Sequence, residues 1–328
     1  MSRKWKVESK VGAGLRPARE VSEKKVKDTT PQFYFGIAGW SYQDWKGIVY
    51  PQDAPSKFDE LVYLANYFDV IELNNTFYRI PESKMVESWV RRIQHNPRFR
   101  FTVKIFQGFT HAKDSAQKED LHKFIGILKP MVEDQRLGAL LAQFPTAFRY
   151  SPENVDRLSE IVESFEDFPL TVEFRHRSWT SDAVQQWLEE HQVSFCNVDE
   201  PMFRHHVKPS AEVTGPVAYV RLHGRNYEKW YSGKRDDRYD YLYSEEELDQ
   251  WVPRIQEMGK KAKDVYVIGN NHFRGQAPSN ILQLKSKTIR KPVPVPEPLL
   301  KSFPQLKKVA SDLPRKKKAG QATLFDEE

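Results

Sequence analysis

The sequence predicts a TIM-type (β/α)8 barrel, an α/β fold built around eight parallel strands. Eight short apolar runs, rich in β-branched and aromatic residues, recur at intervals of roughly 30 residues along the chain. Segments with apolar residues at helical spacing separate most of these runs. Near-continuous apolar strands that alternate with helices indicate a parallel sheet covered on both faces, and eight such units close into a barrel.

In chain order, the first half of the domain alternates strand and helix as FYFGIAGW, FDELVYLANYF, VIELNNTF, MVESWVRRI, FRFTVKIF, LHKFIGILKPMV, LGALLAQF and NVDRLSEIVESF. The second half continues with strand LTVEFRH, helix AVQQWLEEH, strands VSFCNVDE and VAYVRLHG, helix EEELDQWVPRIQEM and strand DVYVIGNN. Several helical segments follow Ser, Thr or Asp, which cap helix N-termini. The rival architecture, an open doubly wound sheet, needs a switch point and usually a glycine-rich first turn. The sequence has neither.

The two ends of the chain differ in composition from the middle. Residues 1–31 mix charged residues with Ser and Gly and lack apolar periodicity, which predicts a flexible basic arm. We expect the barrel domain to occupy residues 32–287. Residues 288–328 contain RKPVPVPEPLL near their start and then become rich in lysine, which predicts an extended linker and tail.

The overall composition favours one large cytoplasmic domain. The chain has 328 residues, of which 39% are hydrophobic, and its net charge of +6 favours anionic partners without requiring them. The single cysteine, Cys196, lies in an apolar run and cannot form an internal disulfide. We see neither a signal peptide nor the roughly 20 apolar residues that a membrane span needs, so we expect no membrane association.

Polar side chains come late in nearly every predicted strand, where barrel enzymes place their active sites. We predict four catalytic residues, namely Glu72, Glu173, Asp199 and His223. We predict that the substrate is bound by Trp40, Asn74, Lys104, His111, Gln143, Arg175, Arg221, Asn270 and Asn271. Alternation along a strand puts the pairs Glu72 with Asn74, Glu173 with Arg175, and Arg221 with His223 on common faces. For any one of these residues, a solvated rim group or half of an ion pair is an equally good interpretation.

These residue types support several chemistries. Lys104, Arg175 and Arg221 suit a phosphate or carboxylate, because two guanidinium groups can hold such an anion in bidentate fashion. Glu72 and Glu173 suit general acid and base catalysis if the site separates their pKa values. A divalent metal is the alternative cofactor, with Glu72, Glu173, Asp199 and His223 as ligands. The three nearby cations and the lack of a compact ligand motif oppose a metal.

Two loops carry aromatic residues, after the first strand (GWSYQDWKGIVYP) and after the seventh (RNYEKWYSGKRDDRYDYLY). Aromatic rings between cations suit nucleobases stacked along a phosphate backbone, and they suit sugars as well. The alternative is that most of these rings pack the loops onto the barrel.

Seven segments resemble the YecE-like family, also called domain of unknown function 72 (DUF72). They are GIAGWSYQDWKG, FDVIELNNTFYRIP, FTVKIFQGFTH, LLAQFPTAF, TVEFRHRSW, YVRLHGR and VYVIGNN, in the order and spacing of the family. The resemblance covers roughly residues 33 to 285 and implies a TIM-type barrel. It implies no particular reaction.

Three functions remain open from the sequence. The first is an enzyme, a hydrolase or lyase, that acts on a phosphate-bearing substrate, which includes a nuclease of DNA repair that would have DNA as a partner. The second is an enzyme that acts on a sugar or sugar phosphate. The third is an adaptor without catalytic activity that binds nucleic acid or protein.

The last residues of the chain contain a short apolar pair in a polar tail. Gln321, Leu324 and Phe325 resemble the QxxLF peptide with which bacterial replication and repair proteins bind the sliding clamp. A clamp-binding tail on a flexible linker would favour the DNA-repair interpretation. The alternative is a tail that only adds solubility.

Overall fold

A computed structural model of the chain describes residues 30–111, 118–231 and 237–311. Eight parallel strands form a closed barrel in which each strand pairs with the next along the chain and the eighth pairs with the first. The predicted barrel is therefore confirmed. The strands are β1 (Gln32–Ala38), β2 (Val70–Leu73), β3 (Arg100–Lys104), β4 (Leu137–Gln143), β5 (Leu170–Glu173), β6 (Ser194–Asp199), β7 (Val217–Leu222) and β8 (Asp264–Gly269).

Ten helices surround the barrel or follow its strand ends within the described ranges. They are α1 (Glu60–Leu64), α2 (Asn75–Tyr78), α3 (Ser83–Arg92), α4 (Gln107–Thr110), α5 (Lys118–Glu133), α6 (Pro152–Ser164), α7 (Asp182–Glu190), α8 (Glu245–Asp249), α9 (Trp251–Lys261) and α10 (Gln276–Ile289). Residues 200–216 contain no helix and join β6 to β7 as an irregular loop.

Local sequence explains where the main helices begin. Ser151 caps α6 by accepting a hydrogen bond from the backbone N–H of Asn154, and Pro152 opens that helix. Ser244 and Glu247 form a capping box at the start of α8. These side chains satisfy backbone donors that have no partner inside the helix.

The barrel strands are buried along most of their length. Every residue of β2, β5, β6 and β7 is buried, as expected for strands between an interior and a layer of helices. Cys196 lies in this core as a free thiol. Gly36 lets β1 approach β2 closely, because a Cβ atom there would lie 1.8 Å from the carbonyl oxygen of Val70.

The segment after α10 differs from the predicted linker. It forms β9 (Val293–Pro294), α11 (Glu297–Ser302) and β10 (Ala310–Ser311), and the two short strands pair with each other. Leu299 and Leu306 are fully buried in the core. Two prolines of this segment, Pro298 and Pro304, stand at helix starts, where their missing N–H costs no hydrogen bond. The folded domain thus extends to Ser311.

The other expectations about the chain ends fall outside the described residues. These are residues 1–29 of the arm predicted for residues 1–31, and the peptide that contains Gln321, Leu324 and Phe325. Among the described residues, no helix has the length and apolar character needed to cross a membrane.

Candidate active site

Arg221, in β7, lies at the centre of the barrel and is held by two glutamates. Its Nη2 is 2.6 Å from Glu72 Oε1, and its Nη1 is 2.5 Å from Glu173 Oε2. Glu72 comes from β2 and Glu173 from β5, so this ion-pair triad spans the barrel. All three side chains are almost completely buried, with 0%, 0% and 1% of the two carboxylates and the guanidinium exposed. The triad is therefore a floor beneath the mouth of the barrel.

Two hydroxyl groups complete the floor, and the partly exposed amide of Gln143 contacts it from above. Tyr219 donates a hydrogen bond of 2.9 Å to Glu72 Oε2 and approaches the Thr102 hydroxyl at 2.7 Å. Arg221 Nη1 also donates to Gln143 Oε1 at 3.4 Å. The second oxygen of Glu72 is thus held by a neutral donor, and the carboxylate keeps one orientation.

Arg175 links the floor to the rim. Its Nε is 2.6 Å from Glu173 Oε1, and its Nη1 forms an ion pair with Glu200. Burial opposes ionisation of Glu173, but Arg175, Arg221 and His223 outweigh it and hold the pKa of Glu173 well below its usual range. Glu173 is therefore a permanent carboxylate at neutral pH.

His223 is a neutral, enclosed member of the cluster. Arg175 Nη2 is 3.0 Å from its Nε2, and the side-chain amide of Asn270 is 2.9 Å from its Nδ1. Burial, followed by the charge of Arg175, lowers the pKa of His223 to about 4. Since the side chain is 0% exposed, a substrate cannot reach it in this conformation.

Lys104 stands apart from the ion-pair network. It ends β3, and its Nζ lies 3.8 Å from the centre of the Phe77 ring. Within the described ranges, no carboxylate forms an ion pair with it. Burial, followed by the charge of Arg221, lowers the pKa of Lys104 to about 7. An amine of this kind titrates near neutral pH and has no counter-ion of its own.

Asp199 and Asn271 have structural partners. Asp199 accepts two hydrogen bonds of 2.7 Å from Arg225 and further bonds from Trp251 and Tyr243. Asn271 donates to the backbone of Tyr241 and to Asn280. The structure does not join either residue to the floor.

Several predicted binding residues form a more accessible layer above the floor. Trp40, Asn74, Gln143 and Arg175 are partly exposed, and His111 is exposed. Trp40 packs edge-on against Trp89, and His111 packs edge-on against the same Phe77 ring that Lys104 covers. The predicted set therefore divides into a buried layer and an upper layer that solvent can reach.

The metal alternative requires carboxylates and histidines to converge. In residues 30–111, 118–231 and 237–311, no group of three or more His, Cys, Asp or Glu side chains is arranged to hold a metal ion. Glu72 and Glu173 instead face arginines, and Asp199 faces Arg225.

Three residues of the network were not singled out from the sequence. Tyr219 lies two residues before Arg221 on the same face of β7, so strand alternation could have indicated it. Glu200 directly follows Asp199 at the end of β6, and a strand-end position was its only signal. His206, whose Nδ1 lies 2.8 Å from Glu200 Oε1, is in the helix-free loop after β6, and nothing in the sequence pattern indicates it.

Comparisons with known proteins agree with this fold. The family model described as "Protein of unknown function DUF72" matches residues 34–302. The UPF0759 protein YunF of Bacillus subtilis (strain 168) is 31% identical over 271 residues, which cover 76% of this chain and 93% of that protein.

Solved structures agree as well. A DUF72 family protein from Thermotoga maritima matches with a TM-score of 0.70 and 38% identity, covering 79% of this chain and 99% of that chain. A DUF72 family protein from Enterococcus faecalis matches with a TM-score of 0.70 and 28% identity, covering 79% and 96%. The resemblance seen in the sequence is thereby confirmed, and this chain belongs to the DUF72 family.

Proposed function

We propose that this chain is an enzyme that binds a small phosphate-bearing substrate at the carboxyl mouth of its barrel. The proposal rests on one observation. Lys104 is a cation at a strand end, and it forms no ion pair with a carboxylate in the described part of the chain. In contrast, Arg175 and Arg221 each contact two glutamates. A buried unpaired cation is costly, and an anionic ligand supplies the missing partner.

Three neighbouring strands provide donors for the oxygens of a phosphate. Lys104 ends β3, Gln143 ends β4, and Arg175 follows β5. Arg221 uses the carbonyl oxygen of Gln143, which leaves the amide nitrogen of Gln143 as a donor. Arg175 is partly exposed, with 12% of its side chain accessible. Ammonium, amide and guanidinium groups at one edge suit an anion with several oxygens better than a neutral sugar.

The position of the donors supports catalysis as well as binding. Barrel enzymes build their sites at the carboxyl ends of the strands. An amine that titrates near pH 7 can accept or donate a proton under physiological conditions. We assign Lys104 to phosphate contact and proton transfer, and the buried ion pairs to positioning.

The sugar alternative has less support. An acid and base pair needs one carboxyl group that is protonated, but Arg175 and Arg221 keep Glu173 ionised despite its burial. Glu72 and Glu173 are also fully buried. An extension to nucleic acid depends on the tail residues outside the described ranges.

The test is titration of the protein with inorganic phosphate and with phenyl phosphate, followed by calorimetry or ³¹P NMR. We expect Lys104→Met to weaken binding by about tenfold or more, because a charge-assisted hydrogen bond is worth about 1.5–3 kcal/mol. Lys123→Met, on the exposed surface of α5, is the matched control and should bind like the parent protein. Equal binding by the parent and Lys104→Met would refute the proposal.

A further inference from the structure

Three side chains lie in contact, one after another, beside the mouth of the barrel. Glu200 Oε1 lies 2.8 Å from Nδ1 of His206, and Nε2 of His206 lies 2.5 Å from the hydroxyl of Tyr231. Glu200 follows β6, His206 lies in the loop after it, and Tyr231 lies in the loop after β7. These loops belong to the carboxyl ends of their strands, which is the side that carries Lys104.

The tautomer of His206 decides which group in this series donates a proton and which accepts it. The negative charge of Glu200 lies 2.8 Å from Nδ1 and favours the tautomer of His206 that carries its proton on that nitrogen. In that tautomer Nε2 has a free lone pair, and the hydroxyl of Tyr231 donates to it. This is the order of carboxylate, imidazole and hydroxyl that activates a nucleophile in hydrolases with a catalytic triad.

The three side chains differ in their exposure to solvent. Glu200 and His206 are 2% and 4% exposed, while Tyr231 is 67% exposed. Glu200 is also fixed by its ion pair with Arg175, which is bound to the floor carboxylate Glu173. The base is therefore held in place by the barrel, and the hydroxyl-bearing ring is open to solvent.

We propose that Tyr231 is a nucleophile, that His206 is the base that takes its proton, and that Glu200 positions His206. Desolvation, followed by the charge of Glu200, raises the pKa of Tyr231 above its ordinary value, so the hydroxyl does not ionise by itself at neutral pH. It needs the neighbouring base in order to react.

The electrophile would be the phosphorus of the substrate, a step that rests on the proposed function. The phenolic oxygen forms a bond to phosphorus while the bond from phosphorus to the leaving oxygen breaks. The phenolic proton passes to Nε2 of His206 and then to the leaving oxygen. Water afterwards forms a new oxygen–phosphorus bond and releases the tyrosine, which regains a proton, so no oxidant or reductant is needed.

The nucleophile can be tested without a known substrate, by reaction of the full chain with phenylmethanesulfonyl fluoride. The phenolic oxygen replaces fluoride on sulfur, and the proton leaves with the fluoride. Peptide mass spectrometry then gives a labelling rate for each tyrosine. Tyr150 and Tyr227 are matched internal controls, because they are 52% and 58% exposed but have no histidine base among their described contacts.

We expect Tyr231 to be labelled at least about tenfold faster than Tyr150 and Tyr227, since general base catalysis contributes about 10²–10⁴-fold. His206→Gln should bring its rate down to that of the controls, and Tyr231→Phe should remove the fast label altogether. Equal rates at the three tyrosines in the parent protein would overturn the proposal. So would an unchanged fast rate in folded His206→Gln. Because phosphate binding is measured separately through Lys104→Met, failure of the nucleophile is distinguishable from failure of the proposed function.

Discussion

Lys104 lies in surroundings that disfavour its charge. Its pKa is lowered to about 7 by burial and by the charge of Arg221, whereas a lysine in an unfolded chain has a pKa near 10.4. Between these two values the unfolded chain binds more protons than the folded one, so stability rises with pH across this window. Below pH 7 the amine is protonated in both states, so the folded state carries the full free-energy cost of its buried charge. Such a penalty is typical of residues that are kept for function.

We therefore predict that Lys104→Met stabilises the protein while it weakens phosphate binding by about tenfold or more. The expected gain at pH 7 is on the order of 2 kcal/mol in the free energy of unfolding, and it should shrink as pH approaches 10. Urea unfolding of the parent protein and of Lys104→Met, at pH 7 and at pH 9.5, measures the gain in the free energy of unfolding at each pH. A loss of stability at pH 7, or a gain that does not depend on pH, would contradict this account of Lys104.

Arg221 differs from Lys104 because its charge is fully paired. Two carboxylates contact the guanidinium group, and the side chain is 1% exposed. The strand-end pattern suggests an arginine that binds ligand and can be removed without damage to the fold. The buried position indicates instead that removal leaves Glu72 and Glu173 unpaired in the core.

For this reason we predict that Arg221→Met destabilises the protein by about 3–5 kcal/mol, the usual result when one member of a buried ion pair is removed. Chemical denaturation of the variant, with Lys123→Met as the surface control, measures this loss in the free energy of unfolding. If Arg221→Met were destabilised by less than about 1 kcal/mol, the triad would have little structural role.

At the scale of elements, Asp199 connects β6 to three residues from later parts of the barrel. Its carboxylate accepts hydrogen bonds from Arg225 after β7, from Trp251 at the start of α9 and from Tyr243 before α8. The connection between β6 and β7 has no helix. These bonds therefore tie down a part of the barrel wall where helix packing is absent.

Asp199→Asn should accordingly weaken the fold rather than ligand binding. Asparagine keeps the shape but replaces one acceptor oxygen with a donor that faces other donors, so we expect a loss of about 2–3 kcal/mol. Thermal unfolding and phosphate titration on the same sample separate the two effects. A stable variant with impaired binding would restore Asp199 to the catalytic set predicted from the sequence.

At the scale of the whole molecule, barrel closure gathers the ends of all eight strands at one rim. The segment from β9 to β10 adds Leu299 and Leu306 to the core and carries the chain past the barrel to Ser311. The chain that follows this point contains Gln321, Leu324 and Phe325. Their contact with a sliding clamp stays a prediction, because they lie outside the described residues.

That prediction is tested with a labelled peptide covering residues 315–328 and a purified bacterial clamp. Micromolar binding is expected if Leu324 and Phe325 fill an apolar pocket, and Leu324→Ala with Phe325→Ala in the same peptide should abolish it. Equal signals from the two peptides, or none from either, would remove the clamp as a partner and with it the link to DNA repair.

The sequence by itself determined the barrel and the strand ends at which polar residues collect. The period of the apolar pattern specifies strand or helix, and the number of strands specifies closure. The sequence also indicated the family. It did not determine the end of the domain, because prolines at helix starts look like prolines in a linker.

Only the tertiary structure decided which charges face one another and which face solvent. Arg221 and Lys104 have the same formal charge and similar strand-end positions, but two glutamates from distant strands neutralise Arg221 and none contacts Lys104 among the described residues. His206 gains its role only when its loop brings it between Glu200 and Tyr231. A sequence pattern records which groups are present, but the free energy of a charge depends on its partners and its burial, and barrel closure decides both.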